Sequence, residues 1–236
     1  MLGNLPSPSV YEQEYAYWPW GRLIKITTDY VAERAEYGAS VLDYMCGTGF
    51  LLNEIALRRP DLRLFGCSLG REYIDYAHQK YPHLEVVLHN ALDFQPPVRP
   101  QIVICTAGLH HLSRAEQPVF LRKVAEELCE GGLFLVGEEL VADYQNEQQR
   151  QEAVVDLSYS LLRYAIRQGA PKPILEAAVG VLAADLLEVE EFKTSLVKLK
   201  ALLDQSFAVD AVQKTWPFGV ETFGDFLFSL SRKRSV

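Results

Sequence analysis

Short apolar runs alternate with amphipathic stretches along the first 140 residues. The runs SVLDYM (40–45), LRLFGCS (62–68), EVVLHN (85–90), QIVICTA (101–107) and LFLVGEE (133–139) are rich in Val, Leu and Ile and lack strict polar alternation. Such runs are typical of strands that are covered on both faces. Between them lie FLLNEIALRR, REYIDYAHQKY and VFLRKVAEELC, which have helical spacing. This alternation predicts an α/β fold with five parallel strands and helical crossovers.

The alternation stops after Glu139, and a different organisation follows. Residues 144–187 predict two long helices separated by GAPKP (169–173), and EEFKTSLVKLKALLDQS (190–206) predicts a third helix. Residues 208–216 and 225–233 predict two final strands. We therefore expect a core formed by 39–140 and 190–236, an N-terminal helical arm or lid over 1–38, and a helical cap inserted over 141–189.

Composition and charge exclude several classes of protein. The 236 residues are 49% hydrophobic and carry a formal net charge of −8, so we expect no nucleic-acid partner, which would require a basic face. The four cysteines form no C-x-x-C pair, and no uninterrupted apolar stretch approaches ~18 residues. We expect a cytoplasmic protein with reduced thiols, no membrane segment and no metal site.

The stretch VLDYMCGTG (41–49) ends the first predicted strand in a glycine loop, and a predicted helix follows it. Glycine permits positive φ and lets a ligand approach the backbone, and a helix that starts there offers free N–H groups. The carboxyl edge of a parallel sheet is also where open α/β folds bind ligands. The dinucleotide pattern G-x-G-x-x-G is not matched, because Leu52 stands where the third glycine would be.

Five stretches, in order, resemble the motifs of class I S-adenosylmethionine-dependent methyltransferases. They are VLDYMCGTGFLLNEIA, LRLFGCSLGREYIDYAHQ, VVLHNALDF, QIVICTAGLHHL and FLRKVAEELCEGGLFLVGEEL. The resemblance covers about 40–140 and 190–233 of the chain. It implies a Rossmann-like, seven-stranded class I methyltransferase sheet and methyl transfer from S-adenosylmethionine to a small organic acceptor.

The same resemblance implies which residues hold S-adenosylmethionine, all of them at strand ends. They are Asp43, Met45, Cys46, Gly47 and Gly49 at the methionine part, Ser68 and Leu69 at the ribose and adenine, Asn90, Ala91 and Leu92 at the adenine rim, and Thr106, Ala107 and Gly108 under the sulfonium.

Three residues depart from the pattern of the family. Met45 replaces a glycine, Asn90 replaces an aspartate, and Ser68 stands where an acid normally binds both ribose hydroxyls. A carboxylate accepts two charge-assisted hydrogen bonds from a diol, each worth about 1.5–3 kcal/mol, and one serine hydroxyl cannot replace both. Two hypotheses stay open: a working methyltransferase with an atypical cofactor site, or a methyltransferase-fold protein that uses an altered pocket for other chemistry or for binding a partner.

The acceptor side is less well defined by the sequence. His111 is a candidate general base, because an imidazole at the open strand edge can take a proton near neutral pH. Candidate pocket residues are Tyr17, Trp18, Trp20, His110, Glu138, Tyr159 and Tyr164. The alternative for the aromatic residues is core packing, and for the others a solvated surface. The long helices outside the core are also a plausible homodimer surface.

Three cysteines end predicted strands. Cys46, Cys67 and Cys105 close the first, second and fourth strands. In the sheet order of the family these strands are neighbours, so we expect the three thiols along one edge of the cofactor crevice.

Overall fold

A single mixed sheet organises the computed structural model, which describes residues 6–189 and 191–233. In that part of the chain the strands are β1 (Ser40–Tyr44), β2 (Arg63–Ser68), β3 (Glu85–Leu88), β4 (Ile102–Thr106), β5 (Leu133–Leu140), β6 (Phe207–Trp216) and β7 (Gly224–Arg232). Their order is β3-β2-β1-β4-β5-β7-β6, with β1 to β5 parallel and β7 antiparallel to both neighbours. The predicted seven-stranded α/β sheet is confirmed.

Helices precede the sheet, connect its strands and follow β5. Over the described residues they are α1 (Pro8–Tyr17), α2 (Trp20–Arg34), α3 (Phe50–Arg58), α4 (Arg71–Lys80), α5 (Gln117–Glu127), α6 (Glu147–Arg167), α7 (Lys172–Leu187) and α8 (Leu196–Leu203). The helical arm and the helical insertion after β5 are therefore confirmed as elements. Their roles as lid and cap stay predictions, as does a homodimer. None of the described helices is long and apolar enough to cross a membrane.

The helix predicted over 190–206 is wrong in its first part. Residue 190 lies outside the described residues; in the described range 191–206 only α8 is helical, and the segment before it is extended, with a parallel bridge between Val141 and Ser195. The hydroxyl of Ser195 accepts a hydrogen bond from the Lys198 N–H at 3.3 Å and so caps α8. Lys193 is buried before this cap. The extended segment carries it into a cluster of carboxylates, which a helix starting at residue 190 would not do.

The apolar side chains form two clusters, one for each face of the sheet. Val41 and Ile104 belong to one cluster, which also contains residues of α2, α3, α6 and α7. Leu42 and Val103 belong to the other, together with residues of α5 and α8. Successive residues of one strand thus enter opposite clusters, which is the geometry of a strand covered on both faces.

The N-terminal arm lies against α4 and turns sharply. A Cβ on Gly21 would lie 2.0 Å from the Tyr15 carbonyl oxygen, so the corner between α1 and α2 requires glycine. Glu12 of α1 pairs with Lys80 and accepts a hydrogen bond from the Tyr81 hydroxyl at 3.0 Å. These contacts hold α1 beside the carboxyl ends of the parallel strands.

Candidate functional site

A pocket of about 720 Å³, open solvent included, lies at the carboxyl ends of β1, β2 and β4. We call it the strand-end pocket; its lining is Tyr11, Met45, Gly47, Ser68, Leu69, Gly70, Tyr73, His89, Asn90, Ala91, Ala107, His111 and Leu112. The glycine loop, the ends of β2 and β3 and the end of β4 therefore converge on one cavity.

The glycine loop forms one wall of this pocket. Gly47 and Gly49 have φ of 55° and 75°, in the left-handed region where a side chain is disfavoured. A Cβ on Gly47 would also lie 3.3 Å from Cε1 of Tyr11. The arm thus covers the loop through an aromatic ring, and only glycine keeps the space between them open.

Met45 shares the left-handed backbone of the two glycines, with φ of 59°. Its side chain packs into the apolar cluster on the α5 side of the sheet. A Cβ on Gly108 would lie 3.1 Å from the Met45 Cβ, so the glycine at 108 provides the space that the methionine at 45 needs. This pair explains how the loop accommodates a side chain where the family has glycine.

Of the residues that the resemblance assigns to the cofactor, some line the pocket and others lie behind it. Met45, Gly47, Ser68, Leu69, Asn90, Ala91 and Ala107 line it, whereas Asp43, Cys46, Gly49, Leu92, Thr106 and Gly108 do not. Asp43 is buried at the end of β1, and burial raises the pKa of its carboxyl. The Leu92 N–H donates to Oδ1 of Asn90 at 3.0 Å, which uses one lone pair that we had expected to face adenine. Contact of either group with a cofactor stays a prediction.

The strand-end pocket has no carboxylate among its described lining residues. Ser68 lines it at the end of β2, in the place of the acid that the family uses. Residues near it include Asn90 and His89, whose Nδ1 lies 3.1 Å from the Asn90 carbonyl oxygen. The glycine cradle of the pocket therefore fits S-adenosylmethionine, but the described lining offers no carboxylate to the ribose.

A second pocket of about 580 Å³ adjoins the first, and we call it the arm pocket. Its lining is Pro6, Tyr11, Glu14, Trp18, Trp20, Leu23, Ala107, His110, His111, Glu139, Val181, Glu191 and Lys193. Tyr11, Ala107 and His111 line both pockets. A ligand in the strand-end pocket would thus face a ligand in the arm pocket across these three residues.

The predicted acceptor residues are only partly brought together. Trp18, Trp20 and His110 line the arm pocket, and His111 lines both. Tyr17, Glu138, Tyr159 and Tyr164 do not line either pocket. Tyr159 is exposed under Arg163, and the ring of Tyr164 packs against Trp216 with centroids 5.9 Å apart.

Glu138 anchors the turn after β4 instead. Its carboxylate accepts hydrogen bonds from the Gly108 and Leu109 N–H groups at 3.2 and 2.9 Å, and from Nδ1 of His110 at 2.6 Å. Burial alone would lower the pKa of His110, but the carboxylates of Glu138 and Glu191 raise it to about 9. The imidazole is therefore protonated at neutral pH and ties β4 to β5.

A second ion cluster adjoins the first, because Glu191 Oε2 lies 3.4 Å from Nε2 of His110. Lys193 Nζ donates to Asp185 at 2.8 Å and to Glu191 at 2.9 Å, and lies 3.6 Å from Glu139. Burial would lower the pKa of this ammonium, but the three carboxylates raise it well above its usual value. Burial likewise opposes ionisation of Glu191, yet Lys193 and the two imidazoles bring its pKa down to about 2.

His110, His111 and Glu191 offer three ligand atoms within 4.8 Å of one another, a grouping that the sequence did not indicate. The Lys193 ammonium, 2.9 Å from Glu191, opposes a cation there, and His110 already donates to Glu138. Glu191 Oε1 also lies 3.5 Å from Nδ1 of His111. The arrangement is an ion-pair network that presents His111 to both pockets.

Three buried polar atoms of the arm pocket have no hydrogen-bond partner in the part of the chain that the structure describes. They are Oε1 of Glu14 and Nε1 of Trp18 and Trp20. Burial, then the nearby Glu139, raise the pKa of Glu14 well above its usual range. Unpaired buried polar groups are costly, so these atoms indicate a place where a polar ligand binds.

Sequence reasoning missed Glu14, Glu191 and Lys193 as pocket residues, and of the two glutamates that end β5 it selected Glu138, whereas Glu139 lines the arm pocket. For Glu14 a signal was present, because Tyr11, Glu14 and Trp18 follow i, i+3, i+7 spacing and thus share one helical face. A carboxylate on an aromatic face is unusual and marks a functional candidate. For Glu191 and Lys193 no local signal exists, because their partners come from distant segments.

The three strand-end cysteines do not line either pocket. Cys46 packs against the apolar cluster on the α3 side, whereas Cys67 and Cys105 are fully buried in the cluster on the other face. Burial raises the pKa of all three thiols. The three thiols thus lie at the ends of neighbouring strands as expected but outside both pocket linings, and contact of Cys46 with a cofactor stays a prediction.

The comparisons with known proteins agree with this architecture. Residues 41–132 match the family described as "Methyltransferase domain". This segment is a class I S-adenosylmethionine-dependent methyltransferase domain. No curated protein sequence matches the chain.

Solved structures of similar fold are distant in sequence. A TehB-like S-adenosylmethionine-dependent methyltransferase from Corynebacterium glutamicum is 14% identical, with a TM-score of 0.57 over 87% of this chain and 86% of that one. The N-methyltransferase NodS from Bradyrhizobium japonicum, in complex with S-adenosylhomocysteine, is 12% identical, with a TM-score of 0.59 over 92% and 89%. Human N-acetylserotonin methyltransferase, in complex with S-adenosylmethionine, is 18% identical, with a TM-score of 0.58 over 92% of this chain and 53% of that one.

Proposed function

We propose that this protein transfers the methyl group of S-adenosylmethionine to a small organic acceptor that binds in the arm pocket. The observation that carries the proposal is the pair of adjoining pockets, which share Tyr11, Ala107 and His111. One pocket lies at the glycine loop of a methyltransferase domain, and the other is walled by the arm and by Val181 of α7. Enclosure by an arm and an insertion favours a small molecule over a polymer.

The residues of the strand-end pocket divide the cofactor between them in this proposal. Gly47 and Ala107 lie at the methionine and sulfonium end, and Ser68 and Asn90 lie at the ribose and adenine end. S-adenosylmethionine supplies, when bound, a methyl group already activated by a sulfonium. The chain then has to align an acceptor with that group, exclude water and, for acceptors that carry a proton, remove it.

His111 is the residue that we assign to the proton. It lines both pockets, and its Nδ1 lies 3.5 Å from Glu191 Oε1. A carboxylate at that distance orients an imidazole and stabilises the charge that the imidazole gains when it accepts a proton. Removal of the imidazole in His111→Ala would reduce turnover more than it reduces cofactor affinity.

Neutral lining at Ser68 favours a second candidate function, in which the pocket binds another ligand and no methyl group is transferred. The two candidates differ in a labelling experiment. Purified protein is incubated with methyl-labelled S-adenosylmethionine and a cell extract separated into low-molecular-weight, protein and nucleic-acid fractions. The proposal predicts label in the low-molecular-weight fraction. Label only in a polymer, or no transfer by protein that binds S-adenosylhomocysteine, contradicts it.

The solved structures support this proposal through their fold. Human N-acetylserotonin methyltransferase is named for a small molecule, N-acetylserotonin, whereas the acceptor proposed here is argued from the residues of this chain.

A further inference from the structure

One carboxylate of the arm pocket is left without a cation. Among the described residues, His110 is paired with Glu138, and Lys193 is paired with Asp185 and Glu191. Glu14 is 2% exposed, lines the same pocket and has no hydrogen-bond partner for Oε1. Glu14 is therefore a buried acid of the pocket lining without a described cation, and a cationic ligand beside it would favour its ionised form.

The surroundings of this carboxyl favour a positive ligand. Trp18, Trp20 and Tyr11 line the pocket with Glu14, and the rings of Tyr11 and Trp20 meet edge to face with centroids 5.0 Å apart. Aromatic faces attract cations through their quadrupole, most strongly when the cation is desolvated. Glu139 also lines the pocket, and its carboxylate lies 3.6 Å from the ammonium of Lys193.

We propose that the arm pocket selects a cationic amine as acceptor, with the carboxylate of Glu14 as its counter-ion and Trp18, Trp20 and Tyr11 around it. This inference rests on the proposed function and specifies its substrate class. The indole N–H groups of Trp18 and Trp20 have no hydrogen-bond partner among the described residues. We therefore expect the amine ligand to carry a hydrogen-bond acceptor atom as well. The ligand is therefore an amine that also carries a hydroxyl or carbonyl oxygen.

The alternative of a metal ion fails at Glu14. The grouping of possible metal ligands consists of His110, His111 and Glu191, and does not include Glu14. A metal ion bound by His110, His111 and Glu191 would leave Oε1 of Glu14 without a hydrogen-bond partner. An amine that reaches Glu14 supplies the missing partner and leaves the Lys193 and His110 pairs intact.

Methylation of such an amine has a defined proton balance. The bound ammonium loses one proton, which exposes the nitrogen lone pair and which His111 is placed to accept. The N–C bond then forms as the S–C bond breaks, with the bonding electrons staying on sulfur. One proton is released for each methyl group transferred, and the product amine is again cationic.

The test compares two ligands that differ in one group. Tyramine and tyrosol share a 4-hydroxyphenethyl scaffold and carry an ammonium and a hydroxyl, respectively. Each is titrated calorimetrically into protein saturated with S-adenosylhomocysteine. A hydrogen-bonded ion pair to a buried carboxylate predicts that tyramine binds at least about tenfold more tightly than tyrosol.

Two variants locate the effect. Glu14→Gln keeps the shape of the side chain and removes the charge, and is expected to reduce tyramine affinity about tenfold while tyrosol and S-adenosylhomocysteine bind as before. The control is Glu12→Gln. Glu12 lies on the same helix but contacts Lys80 and Tyr81 instead of the pocket, so the variant is expected to keep the preference for tyramine.

Each outcome decides between the proposals. Equal or tighter binding of tyrosol, no binding of either ligand, or a tyramine affinity that Glu14→Gln leaves unchanged overturns the amine inference while the proposed function stands. Absence of S-adenosylhomocysteine binding overturns the proposed function itself. The comparison in wild-type protein requires no variant, so the inference is tested even where Glu14→Gln does not fold.

Discussion

The substitution Glu138→Gln tests how the turn after β4 is held. Glu138 accepts two backbone hydrogen bonds and one from His110, all of them buried. Burial alone would lower the pKa of His110, and the carboxylates of Glu138 and Glu191 raise it from 6.5 to about 9. Because the folded state binds this proton more tightly than the unfolded state, the stabilisation is complete below about pH 6.5 and is lost as the pH rises towards 9.

The expected magnitude follows from linkage. Between the two pKa values the folded protein keeps a proton that the unfolded chain has lost, so the free energy of unfolding falls by about 1.4 kcal/mol per pH unit. Over a window from about pH 6.5 to about pH 8.5 the loss is about 2–3 kcal/mol. Above that window the buried thiols, whose pKa values are also raised, contribute with the same sign.

In Glu138→Gln the neutral amide removes the carboxylate that contributes most to the raised pKa of His110. Glu191, which raises this pKa, and Lys193, which lowers it, still lie near the imidazole. Urea unfolding of wild type and Glu138→Gln across this window should show a steep pH dependence in the first and a shallow one in the second. The variant should also be less stable at pH 6.5, by about 3 kcal/mol. Glu85→Gln, at an exposed position of β3, is the control and should follow wild type. Parallel pH profiles for wild type and Glu138→Gln would refute this account of the turn.

Three further predictions concern the glycine loop, the ribose site and the thiols. Gly108→Ala places a Cβ 3.1 Å from the Cβ of Met45 and should lower the free energy of unfolding, measured in urea, by about 1–3 kcal/mol. Gly180→Ala is the control and should not lower it, because nothing lies within 4 Å of its Cβ position. Ser68→Asp should strengthen S-adenosylhomocysteine binding up to about tenfold, and weaker binding in calorimetry would contradict the ribose assignment. Iodoacetamide should modify the half-buried Cys129 before the fully buried Cys67 and Cys105, as read by mass spectrometry.

The strands and the glycine loop were predictable because their signals are local. Apolar runs such as QIVICTA are long enough to mark a covered strand, and two closely spaced glycines mark a loop that approaches a ligand. The predicted strand ends differ from the observed ones by one or two residues, because pairing stops where the neighbouring strand stops, and no single strand encodes that.

The charged residues of the arm pocket were not predictable in the same way. The sequence predicted that Glu191 and Lys193 begin a helix. In the structure both are buried, because Asp185 and Glu139 lie against Lys193 and His110 lies against Glu191. Tyr159 shows the opposite error, since helical spacing with Arg163 suggested a pocket wall and the ring is exposed. Periodicity assigns a residue to a helix face, but the partner of that face is set by the tertiary fold.

The central claim is that the strand-end pocket binds S-adenosylmethionine at the glycine loop, and one calorimetric titration tests it most directly. S-adenosylhomocysteine is titrated into wild type, into Gly47→Val, and into Gly131→Ala, which has the same left-handed backbone but nothing within 4 Å of its Cβ position. The account predicts one site per chain in wild type and Gly131→Ala, and none in folded Gly47→Val. No binding to folded wild type at millimolar ligand, or equal binding to all three proteins, would contradict it.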